Sequence, residues 1–180
     1  MHVLGAPFSV AAGVLVWGGI AEALHPFGAA KALAAAGLPH RPIQVRTLGV
    51  LEAVVGAACL LRPTPLTAAA MALIYAGFTV FVASMLVRRV PAGSCGCLGE
   101  RDLPPTWLHV AFTAIAAVVA GAVGVFSVEV GSILSQAAAT PLAGVPYLAG
   151  VAAAGVLAAL AVVHLPTLAT AWRPPRAEPA

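Results

Sequence analysis

A chain of 180 residues that is 61% hydrophobic and 8% charged departs strongly from soluble domains, in which about a quarter of the residues are charged. A mean hydropathy of +1.01 excludes a water-exposed globular surface, so a lipid bilayer is the expected surroundings. The net charge of +3 comes from basic residues at the ends of apolar runs, and this spacing argues against a nucleic-acid-binding protein.

Apolar stretches of roughly 20 residues, the length that crosses a bilayer, recur along the chain. The predicted spans are 8–25, 46–61, 66–87, 105–126 and 145–168. We therefore predict an all-α fold, a polytopic membrane helical bundle with a four-helix core and a fifth C-terminal transmembrane helix. It forms a single domain over 1–172, followed by a disordered tail at 173–180. No basic segment precedes the first span, which indicates a retained helix and not a cleaved signal peptide.

Basic residues are distributed unequally between the two ends of this predicted bundle. Arg62 alone lies at one end, and the other eight of the nine Lys and Arg residues lie at the opposite end. These eight are Lys31, Arg41, Arg46, Arg88, Arg89, Arg101, Arg173 and Arg176. The positive-inside rule then predicts a protein of the cell membrane with its N-terminus outside and its C-terminus in the cytoplasm.

The most specific motif is the pair Cys95 and Cys97, separated by one glycine and followed by Leu98-Gly99. Glycine permits the backbone angles that a small disulfide ring needs, and a strained disulfide tends to be a labile oxidant. Arginines nearby would favour the thiolate form. Two sulfurs could also contribute to a soft-metal site, although two ligands are an incomplete set. A pair of inert loop thiols is the third interpretation.

Ionisable residues inside membrane helices are costly and are usually functional. Alternating helix directions bring several of them to the basic end, near the Cys95 loop. They are Glu22, His25, Glu52, His109 and His164. Glu52 is the deepest carboxylate and is predicted to need a partner, with Arg46, His25 or His109 as candidates. Each histidine could equally be an interfacial side chain that reaches water.

Two further sets of residues have a structural and a functional interpretation. Cys59 lies one turn from Arg62, most of a bilayer away from Cys95, and is predicted to be a small buried hydrophobe. Tyr75, Phe78 and Phe81 fall on one predicted helix and could line a pocket for a quinone, although such a stripe more often serves packing.

Several of these motifs, in this order, resemble the methylamine utilisation MauE family, within the broader DoxX-like membrane proteins. The similarity covers roughly 8–126. It is carried by the stretch Gly49–Gly56, Phe78, the Arg88-Arg89 pair, Cys95–Gly99 and Trp107. The resemblance implies a small bundle with four core helices, a thioredoxin-like partner and a role in disulfide formation in methylamine dehydrogenase.

Carried over by position, Cys95 and Cys97 correspond to the family's thiol pair and Glu52 to its helix-two carboxylate. The resemblance implies a partner outside the cytoplasm, and hence an outward-facing Cys95 loop. The distribution of charge predicts the opposite orientation.

The functional hypothesis is a membrane protein that exchanges electrons through Cys95 and Cys97 with a thioredoxin-like protein. Glu52 would manage protons, with Arg46, Arg88 and Arg89 as supporting residues beside Glu22, His25 and His109. The alternative is a non-enzymatic membrane subunit or metal-handling protein that uses the loop as a ligand or docking site.

Overall fold

The computed structural model describes residues 4–89, 106–126, 130–138, 146, 148–157 and 160. Every regular element in this part of the chain is helical, which confirms the predicted all-α bundle. The helices are α1 (Gly5–Leu24), α2 (Phe27–Ala35), α3 (Pro42–Leu61), α4 (Pro65–Val87), α5 (Trp107–Val125), α6 (Ile133–Ala138) and α7 (Leu148–Leu157). Cys95, Cys97, Arg101 and His164 lie outside the described residues.

Helices α1, α3, α4 and α5 are long and apolar enough to cross a bilayer, with mean hydropathies between 1.5 and 2.1. Their outward faces carry large apolar side chains such as Trp17, Val80 and Val118, each about two-thirds exposed or more. Exposing such apolar faces to water would be unfavourable, whereas lipid solvates them. This is therefore a multi-pass membrane protein. The shorter α7 falls within the predicted fifth span, and a complete crossing there stays a prediction.

Local sequence explains where three of the long helices begin. Pro42 and Pro65 occupy the first turns of α3 and α4, where the missing N–H costs no hydrogen bond. Thr64 caps α4, and its hydroxyl oxygen accepts a 3.2 Å hydrogen bond from the backbone N–H of Thr67. Thr106, which precedes α5, has the same extended backbone conformation as Thr64. Because α3 begins at Pro42, it starts one turn ahead of the boundary expected at residue 46.

Helix α2 lies in the segment between the first two spans, for which the sequence suggested no element. It ends in a Schellman motif, in which Leu38 N–H bonds to Leu33 O at 2.9 Å and Gly37 N–H to Ala34 O at 3.0 Å. Gly37 has a φ of 74°, a left-handed conformation that glycine adopts without strain. The buried alanines of α2 pack against Val45 of α3, which holds the short helix against the bundle.

The four spans pair as α1 with α3 and α4 with α5, and α3 also contacts α4. This antiparallel arrangement gives the bundle two ends, which we name after Arg88 and Arg62. The Arg88 end is formed by the end of α1, the start of α3, the end of α4 and the start of α5. The Arg62 end is formed by the opposite termini. The largest apolar core, which includes Phe8, Met71 and Val123, lies toward the Arg62 end.

Candidate functional site

Helices α1 and α3 approach so closely that their backbones touch at glycines. A Cβ atom added to Gly49 would lie 2.6 Å from the carbonyl oxygen of Gly19 and 2.9 Å from the nitrogen of Ala23. One added to Gly56 would lie 2.8 Å from the carbonyl oxygen of Ala12. Small residues therefore make this contact, as is usual for helices packed in lipid.

A glutamate follows each crossing glycine at the same spacing. Gly19 is followed by Glu22 and Gly49 by Glu52, so both helices carry the pattern Gly-x-x-Glu. In the antiparallel pair each glycine faces the other helix's glutamate. A Cβ on Gly19 would lie 3.0 Å from Glu52 Cβ, and one on Gly49 would lie 3.1 Å from Glu22 Cβ. The absence of side chains at the two glycines makes room for both glutamates within the helix contact.

Both carboxyl groups are buried, since Glu22 is 3% and Glu52 is 1% exposed. They interact electrostatically with one another. Glu52 Oε1 has no hydrogen-bond partner within the described part of the chain. Glu52 lies ten residues into α3, or about 15 Å along the helix axis, close to the middle of a hydrocarbon core roughly 30 Å thick.

The expectation that a basic residue pairs with Glu52 is wrong for the described residues. Arg46 and His25 are exposed, and neither forms an ion pair with Glu52. The neighbour that the fold supplies is Glu22, a second acid. The physical reason is helix rotation, because Arg46 lies on the outer face of α3 while Glu52 lies on the face packed against α1.

His109 has a local structural contact at the start of α5. Its Nδ1 lies 2.8 Å from Thr106 Oγ1 and 3.3 Å from the Thr106 backbone nitrogen, which closes the cap of the helix. The half-buried ring therefore does not bond to Glu52. One turn further along α5, the Thr113 hydroxyl donates to the carbonyl oxygen of His109 at 2.9 Å. It also accepts a 2.9 Å hydrogen bond from the Thr79 hydroxyl, and this bond joins α5 to α4.

Tyr75 of α4 joins the two helix pairs through a hydrogen bond to α1. Its hydroxyl donates a 2.7 Å hydrogen bond to the carbonyl oxygen of Ala11. The ring is buried and packs edge-on against Phe78 and Phe112, with both centroid distances 6.4 Å. Of the two interpretations of the aromatic stripe, these contacts favour packing over a quinone pocket. Tyr75 is also within electrostatic range of Glu52.

A cavity of about 540 Å³ lies elsewhere, between the outer face of α1 and α7. Trp17 and Val14 line one wall, and Leu148 and Val156 line the other. Its walls are almost entirely apolar and do not include the glutamates, so it is separate from the candidate site.

The remaining candidates lie at the surface or outside the described residues. Arg88 and Arg89 are exposed just beyond the end of α4, where the segment carrying Cys95 and Cys97 begins. Cys59 is a free, buried thiol that donates to Thr67 O at 3.3 Å, which confirms its predicted packing role. No group of three or more His, Cys, Asp or Glu residues in the described part of the chain could hold a metal ion.

Sequence reasoning identified Glu52 but missed its relation to Gly19, Gly49 and Glu22. A signal was present in the repeated Gly-x-x-Glu spacing on the first two spans.

Most of the chain also matches a known protein family. The model of the family described as "Methylamine utilisation protein MauE" matches residues 2–127, which is more than two-thirds of the chain. The chain belongs to the MauE family. The match covers α1 to α5, and therefore both glutamates and the Cys95-containing segment. It links this membrane protein to methylamine utilisation.

A search of curated proteins and a search of solved structures both gave no match. The roles of the site residues are therefore inferred from the geometry of this MauE protein itself.

Proposed function

We propose that this MauE protein is a membrane thiol–disulfide redox protein that exchanges electrons through Cys95 and Cys97 with a thioredoxin-like partner. The expected setting is maturation of methylamine dehydrogenase, and a relationship to the DoxX-like membrane proteins is part of the proposal.

The observation that carries the proposal is the position of the two buried glutamates relative to the ends of the helices between which the cysteine segment lies in sequence. The helices α4 and α5, which flank that segment, end and begin at the Arg88 end, where α1 ends just after Glu22. Dithiols lose protons as well as electrons when they are oxidised. Carboxyl groups within the bundle below such a pair are suited to accept and release protons.

The exchange balances without any further group. A partner thiolate attacks one sulfur of the Cys95–Cys97 disulfide, and the other sulfur leaves as a thiolate. The partner's second thiolate then breaks the mixed disulfide, so the partner becomes oxidised and the pair becomes reduced by two electrons. Exposed Arg88 and Arg89 would stabilise the thiolates that form at each step.

Counting reactive thiols tests this function against the metal-handling alternative. The chain has three cysteines. In the oxidised protein, alkylation after acid quenching and denaturation should modify Cys59 alone. After incubation with a reduced thioredoxin-like protein it should modify all three. In Cys59→Ser the numbers should be zero and two. Three reactive thiols in the untreated protein, unchanged by oxidants and accompanied by stoichiometric metal, would support the ligand role instead.

The orientation of the bundle is a separate proposal, based on charge. Lys31, Arg41, Arg46, Arg88 and Arg89 are all exposed at the Arg88 end, whereas Arg62 lies at the other. We expect the Arg88 end to face the cytoplasm. A topology reporter inserted after Gly37 should be active only as a cytoplasmic fusion, and one at Met1 only as an external fusion. The reverse result would place the Cys95 segment outside the cytoplasm.

A further inference from the structure

The Gly-x-x-Glu crossing of α1 and α3 places two acids near one another in the interior of the bundle, and no basic side chain among the described residues pairs with them. Glu22 and Glu52 have almost no solvent exposure, and Glu52 Oε1 lacks a hydrogen-bond partner among the described residues. Two adjacent carboxylates at this depth would repel one another and would both lack hydration. Neutralising one of the two charges, by a proton or by a bound cation, would remove this cost.

The geometry favours a proton over a metal ion. Hard cations such as Ca²⁺ need about six to eight oxygen ligands, and Mg²⁺ needs an octahedral set. Two glutamates supply at most four carboxylate oxygens. No cluster of three or more metal-binding side chains occurs in the part of the chain that the structure describes. A single proton, in contrast, needs only two oxygens and forms a short charge-assisted hydrogen bond between them.

We propose that Glu22 and Glu52 form a proton-binding site in which Glu52 carries the proton at neutral pH. Glu52 is the deeper acid, near the middle of α3, and has the oxygen without a partner. Glu22 lies in the last turn of α1, two residues before the Arg88 end, and is the acid through which the proton exchanges with water. Tyr75 of α4 is within electrostatic range of Glu52, but its hydroxyl donates to Ala11 O.

This site does not depend on the chemistry of Cys95 and Cys97. It would bind a proton in a protein whose loop is inert, so a failure of the thiol exchange leaves it standing. Conversely, loss of this site should slow the exchange, whereas the thiol count described above, taken at completion, registers only whether Cys95 and Cys97 are redox-active.

Infrared difference spectroscopy of the full-length protein in liposomes tests the assignment. The spectrum of Glu52→Gln subtracted from wild type at neutral pH should show one protonated-carboxyl C=O band per chain, shifted in heavy water. Glu22→Gln should retain that band. Glu178→Gln, which removes an acid from the C-terminal end of the sequence, should leave it unchanged.

The result that overturns the proposal is equally specific. If Glu52→Gln removes only carboxylate bands, Glu52 is ionised and the pair is not a proton site of this kind. If the protonated band disappears from wild type on addition of Na⁺, K⁺ or Ca²⁺ at constant pH, the site binds a metal cation. Loss of the band in Glu22→Gln would also contradict the assignment of the proton to Glu52.

Discussion

Gly49→Ala is expected to destabilise the bundle, although alanine is the better helix former. The added methyl group would lie 2.6 Å from Gly19 O and 2.9 Å from Ala23 N, and both atoms belong to the backbone of α1. Neither atom can rotate away, so the two helices must separate. Overpacking of this kind typically costs about 1–3 kcal/mol, whereas the helix propensity of alanine returns about 1 kcal/mol.

The matched control is Gly13→Ala, on the partner helix α1. A Cβ added to Gly13 meets no atom within 4 Å, so only the propensity term remains. We expect the free energy of unfolding in mixed micelles to fall by up to about 2 kcal/mol in Gly49→Ala and to rise by up to about 1 kcal/mol in Gly13→Ala. Similar changes in both variants would show that the crossing is not tightly packed.

Combining Gly19→Ala with Gly49→Ala tests whether the two glycines form one contact. The first alanine already forces α1 and α3 apart, so the second should cost less than it does alone. Residues in direct contact commonly show such non-additivity, whereas distant residues add. Additive losses would mean that the two glycines act independently.

The second large effect is expected when one of the two loop cysteines is replaced with serine, which should trap a covalent complex with the partner. The exchange is reversible, and in the direction that reduces an oxidised partner one loop thiolate attacks the partner's disulfide and the second loop cysteine resolves the mixed disulfide. Replacing that cysteine with serine should leave the link intact until a reductant releases it. We expect Cys97→Ser to trap the partner and Cys95→Ser not to, because Cys95 is nearer in sequence to Arg88 and Arg89 and should be the more thiolate-rich sulfur.

Non-reducing gels after acid quenching, with mass spectrometry of any shifted band, would detect this complex. Cys59→Ser is the control, since Cys59 is buried near the Arg62 end and donates to Thr67 O. It should neither trap a partner nor prevent trapping in Cys97→Ser. Absence of an adduct from both loop variants, together with bound metal in the purified wild type, would replace the redox function by the ligand function.

The sequence by itself determined the membrane fold and the number of its core spans. Long apolar runs are unambiguous because hydrocarbon requires helices whose backbone groups are all bonded internally. The starts of α4 and α5 were predicted at 66 and 105, within two residues of Pro65 and Trp107, whereas α3 begins at Pro42 and not at the predicted residue 46. The burial of Cys59 followed from its position one turn before Arg62.

The tertiary structure decided which residues meet. A basic partner was expected for Glu52, but helix rotation placed Glu22 beside it and left Arg46 on the outside. Helix α2 likewise depends on a contact with Val45 that no local sequence pattern indicates. In water, a hydrophobic stripe reveals the inward face of a helix, but spans that are apolar all round carry no such stripe. Their rotation is set by close backbone contact at small residues, here Gly19 and Gly49, and that contact exists only between two folded helices.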